Sequence, residues 1–191
     1  NINNLTGSEV ARQILDNNGL SNVKVVETPG SLSDHYDPRS KVVRLSSEVY
    51  HSPSIASVAV AAHECGHAIQ DKDGYIFMRI RASLVPITNF ASMAGYFAIL
   101  FGCLFGAFNL VWLGILCEVV ILMFQLVTLP VEFDASRRAL KELDYAHFFN
   151  SRELRQGKTV LGAAALTYVA SVATTLIQIL RLVLMFGGRD E

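Results

Sequence analysis

The stretch ASLVPITNFASMAGYFAILFGCLFGAFNLVWLGILCEVVILMFQLVTLPV, residues 82–131, decides the fold. It carries one charged residue, Glu118, whereas 17 Lys, Arg, Asp and Glu precede it and 15 follow it. As one straight helix, residues 84–131 would extend about 72 Å, more than twice the roughly 30 Å of a bilayer's hydrocarbon core. The stretch must therefore fold back on itself. Its best break is Gly106-Ala-Phe-Asn109, which predicts spans near 84–106 and 110–130. Thr159–Leu180 is a third uncharged run, bounded by Lys158 and Arg181, and is also long enough to cross. A chain of 191 residues has no soluble core large enough to bury three such helices. With 51% hydrophobic and 17% charged residues, neither a simple soluble globule nor a disordered chain is expected. A net charge of -1 without a basic cluster argues against a nucleic-acid partner.

Outward from the apolar block, the flanking sequence reads as soluble structure. Thr6 with Glu9 three residues on forms a capping-box pattern at the head of a short amphipathic helix, which Asn17-Asn18-Gly19 ends. Residues 23–26 and 41–45 read as strands, with turn chemistry at Pro29-Gly30 and Asp37-Pro-Arg-Ser40. Ser54–Gln70 reads as a helix buried in protein, closed by Asp71-Lys-Asp-Gly74. Three cysteines, 65, 103 and 117, imply no disulfide framework. The first residue, Asn1, is not Met, so the chain reads as processed or a fragment. Basic residues collect before the first span (Arg79, Arg81), after the second (Arg137, Arg138, Lys141) and before the third (Arg152, Arg155, Lys158). The positive-inside rule then puts residues 1–83 and 132–158 in the cytoplasm, with Arg189 as mild counter-evidence.

The chemistry sits in His63-Glu-Cys-Gly-His67, an H-E-x-x-H pattern on the expected helix. Residues four apart share a helical face, so both imidazoles can reach one tetrahedral Zn²⁺. Glu64, rotated by about 100°, can work on a water without ligating the metal. Cys65 faces away from the pair and reads as a packing thiol. A catalytic zinc needs a third protein ligand and an open position. No third His follows at the metzincin spacing, and no Asp lies in the three spans. A Glu on another helix remains, either Glu118 or Glu132.

Three segments together resemble the bacterial YugP-type neutral zinc metallopeptidases of the membrane. They are Ala61-Ala-His-Glu-Cys-Gly-His-Ala-Ile-Gln70, the upstream Ser33-Asp-His-Tyr-Asp-Pro38, and the downstream Leu126-Val-Thr-Leu-Pro-Val-Glu-Phe-Asp-Ala-Ser-Arg-Arg-Ala139. The resemblance runs from Leu5 to about Leu184. It implies a mainly α membrane protein with three transmembrane helices and a small α+β, minigluzincin-like catalytic portion. It also implies a membrane-embedded endopeptidase with the gluzincin ligand arrangement, and an N-terminal membrane anchor that this sequence does not contain. A weaker similarity reaches the Ste24-like and HtpX-like membrane peptidases, whose ligand motif is Glu-x-x-Ala-Asp. Glu132-Phe-Asp-Ala-Ser136 keeps the Glu and the Ala but has Ser136 in place of the Asp that orients a metal-binding His. Asp134, two residues from Glu132, points elsewhere on a regular helix.

The expected organisation is a catalytic portion over residues 1–83, a transmembrane hairpin over 84–131, a glutamate helix and connecting loop over 132–158, and a third transmembrane helix over 159–186. The expected metal ligands are His63, His67 and Glu132, with Glu64 as catalytic base. Ser136, His147, Arg152 and His35 are candidates to support a ligand or to stabilise the oxyanion, and Tyr36 and Tyr145 are further oxyanion candidates. Glu118 is left as a supporting or pathway residue. Residues 41–45 are either an edge strand able to hold substrate by strand addition or a plain structural strand. The resulting expectation is a multi-pass plasma-membrane zinc metalloendopeptidase with its site facing the cytoplasm. Its partners are the lipid bilayer and a peptide or membrane-protein substrate. The competing reading is a catalytically inactive zinc-binding membrane scaffold or adaptor. A purely structural zinc site, however, needs four closed protein ligands and no adjacent base.

Overall fold

A computed structural model describes residues 4–188. The elements run α1 (Gly7–Asn17), β1 (Lys24–Thr28), β2 (His35–Asp37), β3 (Val42–Ser46), α2 (Ser47–His51), α3 (Ile55–Lys72), α4 (Ile76–Phe105), α5 (Phe108–Tyr145) and α6 (Ser151–Phe186). The protein is mainly helical with one small sheet, as expected. Arg189, weighed above against the topology, lies outside the described residues. Two compact units emerge. One joins the chain up to Tyr75 with Val131–Ala165, and the other joins Ile76–Pro130 with the chain from Leu166 onward.

In the first unit, α1 starts where the capping box places it. The Glu9 N–H donates to Thr6 Oγ1, and the Thr6 N–H donates to Glu9 Oε2 at 2.8 Å. Two of the backbone donors at the start of the helix are thereby satisfied. Its apolar face, Val10, Ala11, Ile14 and Leu15, is fully buried. Against it lies α3, capped by Ser54, whose hydroxyl accepts from the Ser57 N–H at 3.1 Å. The sheet order is β1-β3-β2, with β1 parallel and β2 antiparallel to β3. Of the two readings open for 41–45, the structural strand holds and the edge strand does not. β3 is paired on both sides and buried through Val42, Val43, Leu45 and Ser46, so it has no free edge to offer. The open edges belong to β1 and β2. The five-residue α2 was not foreseen.

In the second unit, α4 and α5 are separated by Gly106-Ala107, inside the predicted break. Gly106 takes the left-handed conformation (φ +66°) that spares glycine a steric penalty. Four small residues, Ala91, Gly95, Ala98 and Gly102, form the buried stripe of α4. A Cβ on Gly95 would lie 2.8 Å from that of Cys117, so the stripe lets α5 approach closely. Larger apolar residues, including Phe90, Met93, Phe97 and Leu104, face outward. Glu118 of α5 accepts a hydrogen bond from Gln178 Nε2 of α6 at 3.0 Å.

Three helices, α4, α5 and α6, are long and apolar enough to cross a membrane. Each exceeds its expected span. α5 runs without interruption through Pro130, where a boundary was anticipated. Proline removes only one backbone donor there, and membrane helices tolerate that loss. α6 begins at Ser151 because Asn150 caps it. Asn150 Oδ1 accepts from the N–H groups of Arg152 and Glu153, each at 2.9 Å, and Glu153 Oε2 accepts from the Asn150 N–H at 3.1 Å.

Candidate metal centre

The site is assembled where α3 and the part of α5 beyond Pro130 touch. Gly66 makes that contact possible, since a Cβ there would lie 2.5 Å from the Ala135 carbonyl oxygen. A backbone carbonyl cannot swing aside as a side chain can, so any larger residue would hold the helices apart. On α3, the four-residue spacing puts His63 and His67 on one face, with ring centroids 4.8 Å apart. Glu132 of α5 lies opposite. Its Oε2 is 3.2 Å from His63 Nε2 and 3.6 Å from His67 Nε2. One ligand atom from each of the three residues falls within 4.8 Å of the others, and among the described residues no fourth His, Cys, Asp or Glu joins the group.

The donor set is two imidazole nitrogens and one carboxylate oxygen, a combination suited to Zn²⁺ with a position left open. Both Nδ1 atoms are occupied from behind. His63 Nδ1 is 3.1 Å from Ser136 Oγ, and His67 Nδ1 is 3.0 Å from Gln70 Oε1. The Nε2 atoms therefore converge on the place a cation would occupy. Burial alone would raise the Glu132 carboxyl, but its hydrogen bonds and charge attraction to His63 and His67 hold it well below the ordinary carboxylate range. Glu64 is buried, close enough to His67 to act on it electrostatically, and makes no side-chain hydrogen bond among the described residues. Cys65 is turned the other way and packs against α1, with Sγ 3.5 Å from the Ala11 carbonyl oxygen.

Behind His67 lies a polar network that the sequence reading missed. Gln70 Nε2 donates to the Val131 carbonyl at 2.8 Å and to Asp134 Oδ2 at 3.0 Å. Asp134 also accepts from Arg137 and from Arg138 Nε at 2.6 Å. Burial would raise the Asp134 carboxyl, yet the Gln70 amide and the two guanidinium groups hold it below its ordinary value. Arg138 continues to Asp73, just past α3, at 2.5 Å. The available signal was spacing, since Gln70 is three residues after His67 and shares its face.

The remaining candidates are placed as follows. His35 opens β2, exposed, with Nδ1 2.7 Å from the Ser33 carbonyl oxygen. Tyr36 is buried and donates its hydroxyl to Asp71 Oδ2 of α3 at 2.7 Å. Tyr145 ends α5 exposed, and His147 follows in the connecting loop at φ +54°. Arg152 is exposed in the first turn of α6. Neither His35, His147 nor Glu118 joins the three-residue group.

A family profile described as "Putative neutral zinc metallopeptidase" matches residues 1–187. The chain belongs to this zinc-metallopeptidase family. It is 46% identical over 187 residues to the "Putative membrane protease YugP" of Bacillus subtilis (strain 168), an alignment covering 97% of this chain and 83% of the relative. No solved structure matches. Family membership implies zinc, and the two imidazoles and buried carboxylate fit that ion.

Proposed function

We propose that the protein is a membrane-integral, zinc-dependent metalloendopeptidase of gluzincin type. The convergence of His63 Nε2, His67 Nε2 and Glu132 Oε2 beside Glu64 carries this reading. His63, His67 and Glu132 would hold the ion. When bound, zinc supplies Lewis acidity that polarises a peptide carbonyl and acidifies a water. Glu64 takes a proton from the attacking water and delivers it to the leaving amine nitrogen. Its lack of another hydrogen bond leaves the carboxylate available for both transfers. Gly66 sets the helix approach, and Ser136 and Gln70 hold the imidazoles.

Three long apolar helices and a relative named a membrane protease support a multi-pass plasma-membrane protein. The basic loops favour a cytoplasmic site. Glu132 follows the apolar run of α5 closely in the chain, which favours peptides or membrane-protein segments near the bilayer as substrates. β2 is the outermost strand on its side of the sheet and is tied to α3 through Tyr36 and Asp71, so it is the better-placed strand to receive an extended peptide.

The test is Glu64→Gln in the full chain. Zinc content should match the parent while peptide hydrolysis falls by at least about 10²-fold, the lower range for losing a general base. Equal hydrolysis by both proteins would refute the mechanism and favour the scaffold reading.

A further inference from the structure

Gln70 has no solvent exposure, the lowest value among the described buried polar residues. Its amide can be oriented only one way. The Val131 carbonyl and the Asp134 carboxylate, which is ion-paired to Arg137 and Arg138, both require a donor. A flipped amide would set its oxygen against these two acceptors. Gln70 Oε1 must therefore face His67 Nδ1. A carbonyl oxygen only accepts, so the proton of neutral His67 must sit on Nδ1. Its lone pair is then on Nε2, the nitrogen that faces Glu132 Oε2. The other ligand is held differently. Ser136 Oγ can donate to or accept from His63 Nδ1, so that contact positions the ring without dictating its proton.

We propose that Gln70 is a positioning residue that fixes the tautomer and ring orientation of His67 for metal binding, with Asp134 acting on His67 only through it. The carboxylate–imidazole contact common behind metal-bound histidines is here extended by one amide. Arg137 and Arg138 hold Asp134, and Arg138 ties it to Asp73, so the relay is anchored at both helices. This inference rests on the zinc reading above.

The experiment measures zinc affinity of the full-length, detergent-solubilised protein by chelator competition, with zinc alone as ligand and helical circular dichroism as the folding control. Gln70→Leu should weaken zinc binding by about 10–100-fold. Asp134→Asn should weaken it less. The double variant should match Gln70→Leu, because residues acting through one intermediary do not combine independently. If Gln70→Leu loses its helical signal, Gln70→Met takes its place with the same expectation. Parent-like affinity in the Gln70 variant would overturn the relay, and so would losses that multiply in the double variant. A parent protein that binds no zinc would overturn the metal reading itself.

Discussion

Two successive helices, α3 and α4, are both rich in small and apolar residues, and they meet opposite fates. Twelve of the 18 residues of α3 are buried, including Glu64, His67 and Gln70. Only four of the 30 in α4 are buried, all Ala or Gly, while Phe90, Met93, Phe97 and Leu104 stand outward. α3 is covered by protein and can therefore hold polar groups in fixed, partnered positions. α4 turns its large apolar side chains outward, and a surface of that kind suits a lipid or apolar protein surrounding rather than water. The difference separates a helix that holds two of the three candidate metal ligands from one long and apolar enough to cross a membrane.

The largest effect is expected on the α3 side. Glu132→Ala removes the carboxylate that His63 and His67 face. Zinc should be lost from the purified protein, an effect larger than the 10–100-fold expected of residues behind the ligands. Full occupancy, read by elemental analysis, would remove Glu132 from the ligand set and move the third ligand to Glu118 or elsewhere. The next test addresses α4. Phe97→Arg should reduce membrane insertion by about 3 kcal/mol, the cost of a charge near a span's centre. The readout is the fraction of chain recovered in alkali-washed membranes. Unchanged recovery would remove lipid as the explanation of the exposed face. The smallest effect is on the contact that brings the site together. Gly66→Ala should destabilise the fold by about 2 kcal/mol and weaken zinc binding, because the Ala135 carbonyl must give way. Gly162→Ala on α6, where a Cβ would meet open space, is the control and should do neither.

Local signals were well expressed in the sequence. The Thr6–Glu9 capping box, the Ser54 start of α3 and the turn at Gly106 each depend on residues within a few positions, and each lies where it was read. The His63–His67 spacing is legible for the same reason. The Asn150–Glu153 box is equally local, but the charges after it drew the boundary of the third segment to residue 159. Pro130 illustrates a different limit. Its ring signals a boundary, yet α5 continues, because context rather than propensity decides a single lost hydrogen bond. Whether β3 is an edge could not be decided locally, because its parallel pairing with β1 joins residues 24–28 to 42–46 across the chain. The Gln70–Asp134 contact, 64 residues apart in sequence, is visible only once α3 and α5 meet. Asp134 does point away from the metal group, as the helical spacing required, but toward Gln70 rather than solvent.

Under the proposed function, α3 and α5 together hold one zinc ion with a position open to substrate. X-ray absorption at the zinc edge of the intact, unsubstituted protein tests it most directly. The expected result is one zinc per chain, with two imidazole nitrogens at about 2.0–2.1 Å and two oxygens at about 2.0–2.2 Å, one from Glu132 and one from solvent. A sulfur ligand, a closed set of four protein ligands or the absence of zinc would contradict it.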